Sequence, residues 1–182
     1  MTDLVPLLPR QPVPPLAVDL VGGGRFDISA EQPDNFSMVV FYRGLHCPIC
    51  RTQLRDLEAR LGDFAGRGTS VVAISSDTRE RAEQTKRDWG LPGLRLGYGL
   101  DLATARSWGL FVSTSRGKTS LGIEEPGRFS EPGIFLVRPD RSLYFASVQT
   151  MPFARPHLQD ILGALDFVLK NNYPARGEVV RL

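Results

Sequence analysis

The chain has 182 residues, 42% of them hydrophobic and 23% charged, which is enough apolar content for one buried core, while its 18 Gly and 14 Pro follow no period that would indicate a collagen-like chain. Its 22 Lys+Arg against 20 Asp+Glu leave a net charge of +2, and the basic residues are dispersed rather than gathered into the stripe that nucleic acid requires. The two cysteines, Cys47 and Cys50, are too few for a disulfide scaffold and too close together for a bridge between them to add much stability.

Met1 to Ala17 carries prolines among its apolar residues and an acid at Asp3, unlike a secretory signal. No segment approaches the ~20 apolar residues of a membrane helix. The expectation is a cytoplasmic protein with neither a membrane nor a nucleic-acid partner. Residues 1–15, with Pro6, Pro9, Pro12, Pro14 and Pro15, read as an extended lead-in with few backbone bonds of its own. Residues 16–178 read as a single domain and 179–182 as a tail.

Within the domain, Leu16–Leu20 and Arg25–Ile28 flank Gly22-Gly23-Gly24, a hairpin pattern. The triplet lacks the strand-then-helix context of a phosphate loop. Ser37–Tyr42 is apolar without alternation, as expected of a strand covered on both faces. From Pro48, the residues Ile49, Leu54, Leu57 and Leu61 recur at helical spacing until Gly62. Thr69–Ser75 predicts a second buried strand, and Asp77 or Thr78 predicts the cap of a polar helix running to Trp89. Leu94–Leu96 is a short strand, and Asp101 opens a helix to Trp108.

Residues Leu110 to Glu131, rich in Gly and Ser, predict a long loop of the kind that covers a site. Gly133–Val137 and Ser142–Val148 flank Arg138-Pro139-Asp140-Arg141, a hairpin signal. A final amphipathic helix starts near Pro156, with Leu158, Ile161, Leu162, Leu165, Phe167, Val168 and Leu169 as its apolar face, and ends at Asn171–Pro174. The two tryptophans fall at helix ends, where packing against the sheet explains them. The β-α-β-α-β-α order followed by a hairpin and a helix predicts an α/β fold with a central mixed sheet flanked by helices.

Cys47-Pro48-Ile49-Cys50 follows a strand and the turn Gly44-Leu45-His46, at the start of a helix. Unpaired N–H groups and the positive dipole end stabilise an anion there, so a thiolate gains acidity. Cys47 is expected to be the more exposed sulfur. Cys50, one turn further in, is within disulfide reach, and the pair can pass between dithiol and disulfide by exchange. Arg43, His46 and Arg51 can add positive charge, His46 when protonated. Zinc or iron–sulfur sites usually need four ligands, and with no other cysteine in the chain only His46 and His157 could join Cys47 and Cys50, which disfavours a metal site. No metal and no organic cofactor is expected.

The segment Val40 to Cys50, the element order, Glu131-Pro132-Gly133-Ile134-Phe135-Leu136-Val137 and the tail Asn172 to Glu178 resemble the peroxiredoxin-like proteins of the alkyl hydroperoxide reductase/thiol-specific antioxidant superfamily that carry a thioredoxin-type CxxC. The resemblance spans about residues 16–178 and implies a thioredoxin-like fold. Peroxiredoxins show Phe-Tyr-Pro-x-x-x-Thr-x-x-Cys and a distant Arg before a strand. On Phe41-Tyr42 their peroxidatic position falls on Cys50, their Thr on Cys47, their Pro on Arg43 and their Arg on Pro132. The missing cation would have to come from Arg43 or Arg128.

Read instead as a thioredoxin, Cys47 is the attacking thiol, Cys50 resolves, and Pro132 occupies the place of a cis-proline lining the docking surface. The leading expectation is a thiol–disulfide oxidoreductase acting on a protein or small-molecule disulfide and restored by an external thiol. The alternative is a thiol peroxidase acting on a hydroperoxide, with Cys50 oxidised and Cys47 resolving. Arg43, His46 and Pro132 are the supporting residues in either case, and assembly as a homodimer is allowed. Residues 110–131 are expected to close over Cys47 and set partner choice.

Overall fold

The computed structural model describes residues 4–181, so Met1 to Asp3 of the lead-in and Leu182 of the tail lie outside it. Its centre is a seven-stranded mixed sheet in the order β2-β1-β5-β4-β3-β8-β9. The strands are β1 (Ala17–Leu20), β2 (Arg25–Asp27), β3 (Phe36–Phe41), β4 (Thr69–Ile74), β5 (Arg95–Tyr98), β8 (Gly133–Val137) and β9 (Leu143–Val148). Pairing is parallel across β3, β4 and β5, and antiparallel for β1 with β5, β3 with β8 and β8 with β9.

The unalternated apolar run predicted for β3 has its physical cause in the layers. Met38 and Val40 belong to one core cluster and Val39 and Phe41 to the other. The same division separates Val71 and Ala73 from Val72 and Ile74, and Ile134 and Leu136 from Phe135 and Val137. Successive strand side chains point to opposite faces, so a strand buried on both sides must be apolar at every position. Helices α1 (Pro48–Ala59), α2 (Leu61–Ala65), α3 (Arg79–Asp88) and α5 (Leu158–Asn171) supply residues to the first cluster, and α4 (Leu102–Ser107) to the second. Trp108 is fully buried against Phe41 and Phe135, and Trp89 meets Tyr42 edge-on.

Four sequence expectations are corrected. The helix from Pro48 breaks at Arg60, whose φ of −106° and ψ of 6° are not helical, and α2 restarts the turn. Residues 110–131 are not an irregular loop, because β6 (Val112–Thr114) and β7 (Arg128–Ser130) pair antiparallel into a ribbon. On α5, Phe167 and Leu169 face outward at 56% and 38% exposure, narrowing the apolar stripe to Leu158, Ile161, Leu162 and Leu165. The lead-in is not free of backbone bonds: Arg10 and Val13 donate to Leu143 and Arg141, and Leu143 donates back to Gln11, which covers the outer edge of β9. The Gly22-Gly23-Gly24 turn is as expected, with all three glycines at positive φ.

Candidate redox site at the start of α1

The site forms where one end of the sheet gathers four chain segments. Strand β3 ends at Phe41, which is in register with Gly133 at the start of β8, and Gly133 is in register with Val148 at the end of β9. Antiparallel pairing therefore brings the turn after β3, the residues before β8 and the residues after β9 to one place. The residues after β4 join them.

Between β3 and α1 the chain turns sharply at Gly44, whose φ of 132° suits only glycine and whose missing Cβ would lie 2.7 Å from Asp77 Oδ1. Asp77 follows β4 but does not cap α3, a role that falls to Thr78. Instead it turns inward, accepting from the Leu45 N–H at 2.7 Å and from Arg81 Nε at 2.9 Å. A buried carboxylate thus holds the turn that carries the cysteines. Burial pushes the Asp77 carboxyl pKa up, against the lowering effect of these donors.

Cys47 is the N-cap of α1, and its Sγ accepts from the Cys50 N–H at 3.3 Å, the contact that a Ser or Asp side chain makes at most helix starts. Cys50 Sγ in turn accepts from the Arg43 N–H at 3.4 Å. Both residues are free thiols. The thiol of Cys47 is brought down to about 6, first by the hydrogen bond from Cys50, then by the Cys50 N–H and the Arg155 and Arg43 charges, against an opposing effect of burial. Burial pushes the Cys50 thiol up, and the neighbouring Cys47 pushes it further. The pair is therefore split, with an anion on Cys47 at neutral pH and a proton on Cys50. Such a pair can offer a nucleophile and, one helical turn away, a second thiol to attack whatever bonds to the first.

Cys47 is the more exposed sulfur only nominally, at 1% against 0% for Cys50, so both are buried. Both sulfurs lie against a residue that sequence reasoning missed. Arg155, between β9 and α5, places Nη2 at 3.3 Å from Cys50 Sγ and 3.8 Å from Cys47 Sγ. Its Nη1 donates to Gln53 of α1 and its Nε to the Pro152 carbonyl. Arg155 also lines an open groove of about 490 Å³ between the starts of α1 and α5, together with Ile49, Thr52, Gln53, Phe153 and Leu158. No local pattern marks Arg155 in the sequence; only the register of the β8–β9 hairpin brings its segment back to this end.

The three supporting residues are placed differently from expectation. Arg43 lies beside the pair, but its side chain is spoken for by Glu125 and Glu131, each at 3.4 Å, with its guanidinium carbon 4.6 Å from the centre of the Phe129 ring. His46 is fully buried against Phe129 and meets Arg81 Nη2 through Nδ1 at 3.4 Å. Burial first, then the Arg43 and Arg81 charges, hold it down to about 3, so it is neutral and cannot add the positive charge expected of it. Pro132 is trans, as is every peptide bond among the described residues. It occupies a strand start, where its absent N–H is not needed, and its carbonyl accepts from the Gln149 N–H.

Arg128, the other suggested cation, is exposed on β7. His157 is exposed and caps nothing with its side chain. The ribbon segment does pack beside the site, through Glu125, Phe129 and the Glu124 carbonyl, which accepts from Arg81 at 3.3 Å. Among the described residues no cluster of three or more His, Cys, Asp or Glu side chains is arranged to hold a metal, and no helix is long and apolar enough to cross a membrane.

The sequence matches the AhpC/TSA family over residues 9–146. Among curated proteins none matches the chain. Among solved structures, AhpC of Mycobacterium bovis superposes with a TM-score of 0.73 at 14% identity, covering 97% of this chain and 99% of that one. The reduced 2-Cys peroxiredoxin of Plasmodium vivax gives 0.72 at 14% identity over 97% and 92%, and the peroxidoxin BcpB of Mycobacterium tuberculosis 0.69 at 18% over 89% and 98%. At these identities the structural likenesses establish a shared fold.

Proposed function

The chain belongs to the AhpC/TSA family and is a thiol-dependent oxidoreductase; from that premise we propose that it is a thiol–disulfide oxidoreductase in which Cys47 attacks and Cys50 resolves. The observation that carries this reading is the place of Cys47 at the N-cap of α1, its Sγ accepting from the Cys50 N–H one turn inward, an environment that lowers the Cys47 thiol while burial raises that of Cys50. Nucleophilicity belongs to the thiolate, so attack starts from Cys47.

In the first step the Cys47 thiolate forms a bond to one sulfur of a substrate disulfide, the substrate S–S bond breaks, and the departing thiolate takes a proton from water. Cys50 then gives up its proton to solvent and bonds to the Cys47 sulfur. The second substrate thiolate leaves and is protonated. Two electrons have passed to the substrate and the chain holds a Cys47–Cys50 disulfide, which an external thiol reduces by the reverse exchange. A reducing cytoplasm favours this direction.

Single cysteine variants test the assignment. With a disulfide substrate, Cys50→Ser should accumulate a mixed disulfide through Cys47, visible by mass spectrometry, and Cys47→Ser should form none. Mixed disulfide on Cys50 would overturn the order of attack.

A second reading is supported by the family and by the Phe41-Tyr42 register, which puts Cys50 at the peroxidatic position. In it a hydroperoxide oxidises Cys50 to a sulfenic acid, releasing the alcohol or water, and Cys47 attacks that sulfur to form the same disulfide with loss of water. Its signature is a lasting sulfenic acid on Cys50 in Cys47→Ser. Loss of peroxide consumption in Cys50→Ser would accompany it.

A further inference from the structure

Both sulfurs are buried, so a substrate must reach them from a flank of the pair, and the two flanks differ. On one side the ribbon segment closes in, with Phe129 against His46 and Ile123 packed on the core cluster that holds both cysteines. On the other lies the open groove of about 490 Å³ between the starts of α1 and α5. Large apolar side chains stay exposed on and beside it: Ile49, between the two cysteines, Met151, and Phe153 at 69%. The exposure of Phe153 is not that of a loose loop. Its turn is pinned by the Gln149 N–H on the Pro132 carbonyl, the Ala154 N–H on the Met151 carbonyl and Arg155 Nε on the Pro152 carbonyl. Hydrogen bonds thus hold an aromatic ring out in water beside the reactive thiols, and apolar surface kept in that way marks a place where another molecule binds.

The size and chemistry of the groove select its occupant. Its volume lies within the ~300–1,000 Å³ of clefts that enclose a drug-sized ligand, room for a large side chain and the backbone beside it, and far beyond the ~30 Å³ of a water-sized oxidant. Ile49, Phe153 and Leu158 offer apolar contact, while Thr52 and Gln53 bring hydroxyl and amide groups that can pair with a peptide backbone. The charge is one-sided. Asp56, the acid on the groove, is paired with Arg60 at 2.8 Å, whereas among the described residues neither Arg155 nor the exposed Arg51 and Arg55 of α1 have a carboxylate partner. A basic segment is repelled there, and a neutral or acidic one is accepted. We infer that this groove is the docking site for the polypeptide flank of a protein disulfide, an extended segment with a large apolar side chain and no basic residue beside its cysteine, and that Phe153 and Ile49 set this specificity. The inference rests on the disulfide-exchange reading and adds no chemical step to it. Because Ile49 lies between Cys47 and Cys50 in the chain, a flank seated against it brings the adjoining substrate sulfur to the pair.

Short peptides carrying one cysteine as its mixed disulfide with thionitrobenzoate test this on the full chain, with Phe, Leu, Ser or Lys in turn beside that cysteine. The Cys47 thiolate bonds to the peptide sulfur, the S–S bond breaks, and the electron pair leaves on thionitrobenzoate, whose colour reports the rate. At low peptide concentration the Phe and Leu peptides should react ~10-fold faster than the Ser peptide. The Lys peptide should be slower still and recover toward the Ser rate at high salt. Phe153→Ser and Ile49→Ala should each remove most of the preference for Phe and Leu, and Phe153→Leu should keep it. Phe167→Ser, on the outward face of α5 near its far end, should react as wild type. Equal rates for all the peptides would overturn the inference and leave disulfide exchange standing. So would a preference that survives Phe153→Ser, or a wild-type dimer that Phe153→Ser dissociates, since the groove would then join two copies of the chain. Release from none of the peptides would remove the exchange reading itself, and the inference with it.

Discussion

Replacing Cys50 with alanine removes the first cause of the acidity of Cys47, the hydrogen bond from its neighbour, and leaves the helix N-cap, the residue-50 N–H and Arg155 in place. A hydrogen bond to a charged group contributes ~1.5–3 kcal/mol, and one pH unit corresponds to ~1.4 kcal/mol. Starting from about 6, Cys47 in Cys50→Ala should ionise at roughly 7–8. Its thiolate fraction at neutral pH then falls from ~0.9 to roughly 0.1–0.5. Cys50→Ser restores a donor at the same position and should ionise close to wild type. The assay is the rate of iodoacetamide alkylation against pH, with ultraviolet thiolate absorbance as a second probe. An alanine variant that titrates with wild type would refute the claim that Cys50 donates to the Cys47 thiolate.

Three further outcomes follow from the surrounding contacts. His46 ionises near 6.5 when unfolded but is held to about 3 in the fold, so its neutral burial costs nothing above about 6.5 and stability falls with pH below that, by up to ~1.4 kcal/mol per pH unit. The raised carboxyl of Asp77 acts in the opposite sense, taking up its proton in the fold first; comparison with His46→Gln isolates the histidine, and urea unfolding at several pH values should give a flatter dependence for the variant. Equal slopes would contradict the burial argument. Gly44→Ala forces a Cβ to within 2.7 Å of Asp77 at a φ of 132° and should cost about 2–3 kcal/mol in denaturant unfolding, whereas a loss near zero would mean that the turn relaxes freely. Glu125→Ala removes acceptors for Arg43 and for the Arg116 N–H and should speed amide exchange across 112–130 while β3 and β4 keep their protection; uniform exchange would show that this pair does not hold the ribbon down.

The parts of the fold that announce themselves in the sequence are those whose side chains answer to one local rule. Strands β3 and β8 read as buried because both faces of the sheet are covered, and the start of α1 reads from Pro48 and the cysteines before it. The ribbon β6–β7 was not legible, because its strands are three residues each and their partners stand across a Gly- and Ser-rich segment. At the site, Cys47 and Cys50 were legible from position alone. Arg43 was found as a neighbour, though its charge is directed at Glu125 and Glu131. His46 misled, because a turn residue next to a cysteine suggests a solvated cation and only tertiary packing against Phe129 makes it neutral. Pro132 misled for a related reason: a proline before a strand says nothing of its isomer. Arg155 could have been reached by following the hairpin, since β9 must return to the end of the sheet where β3 stops. Nothing in its own neighbours distinguishes it among the 22 basic residues.

The central claim is that the negative charge rests on Cys47 and the proton on Cys50. It is tested most directly by treating the reduced wild-type chain at neutral pH with a sub-stoichiometric amount of iodoacetamide and mapping the modified peptide by mass spectrometry. The label should fall on Cys47 and rise with pH around about 6 until it saturates. Label found first on Cys50, or reaction with neither sulfur below the usual range of thiol ionisation, would contradict it.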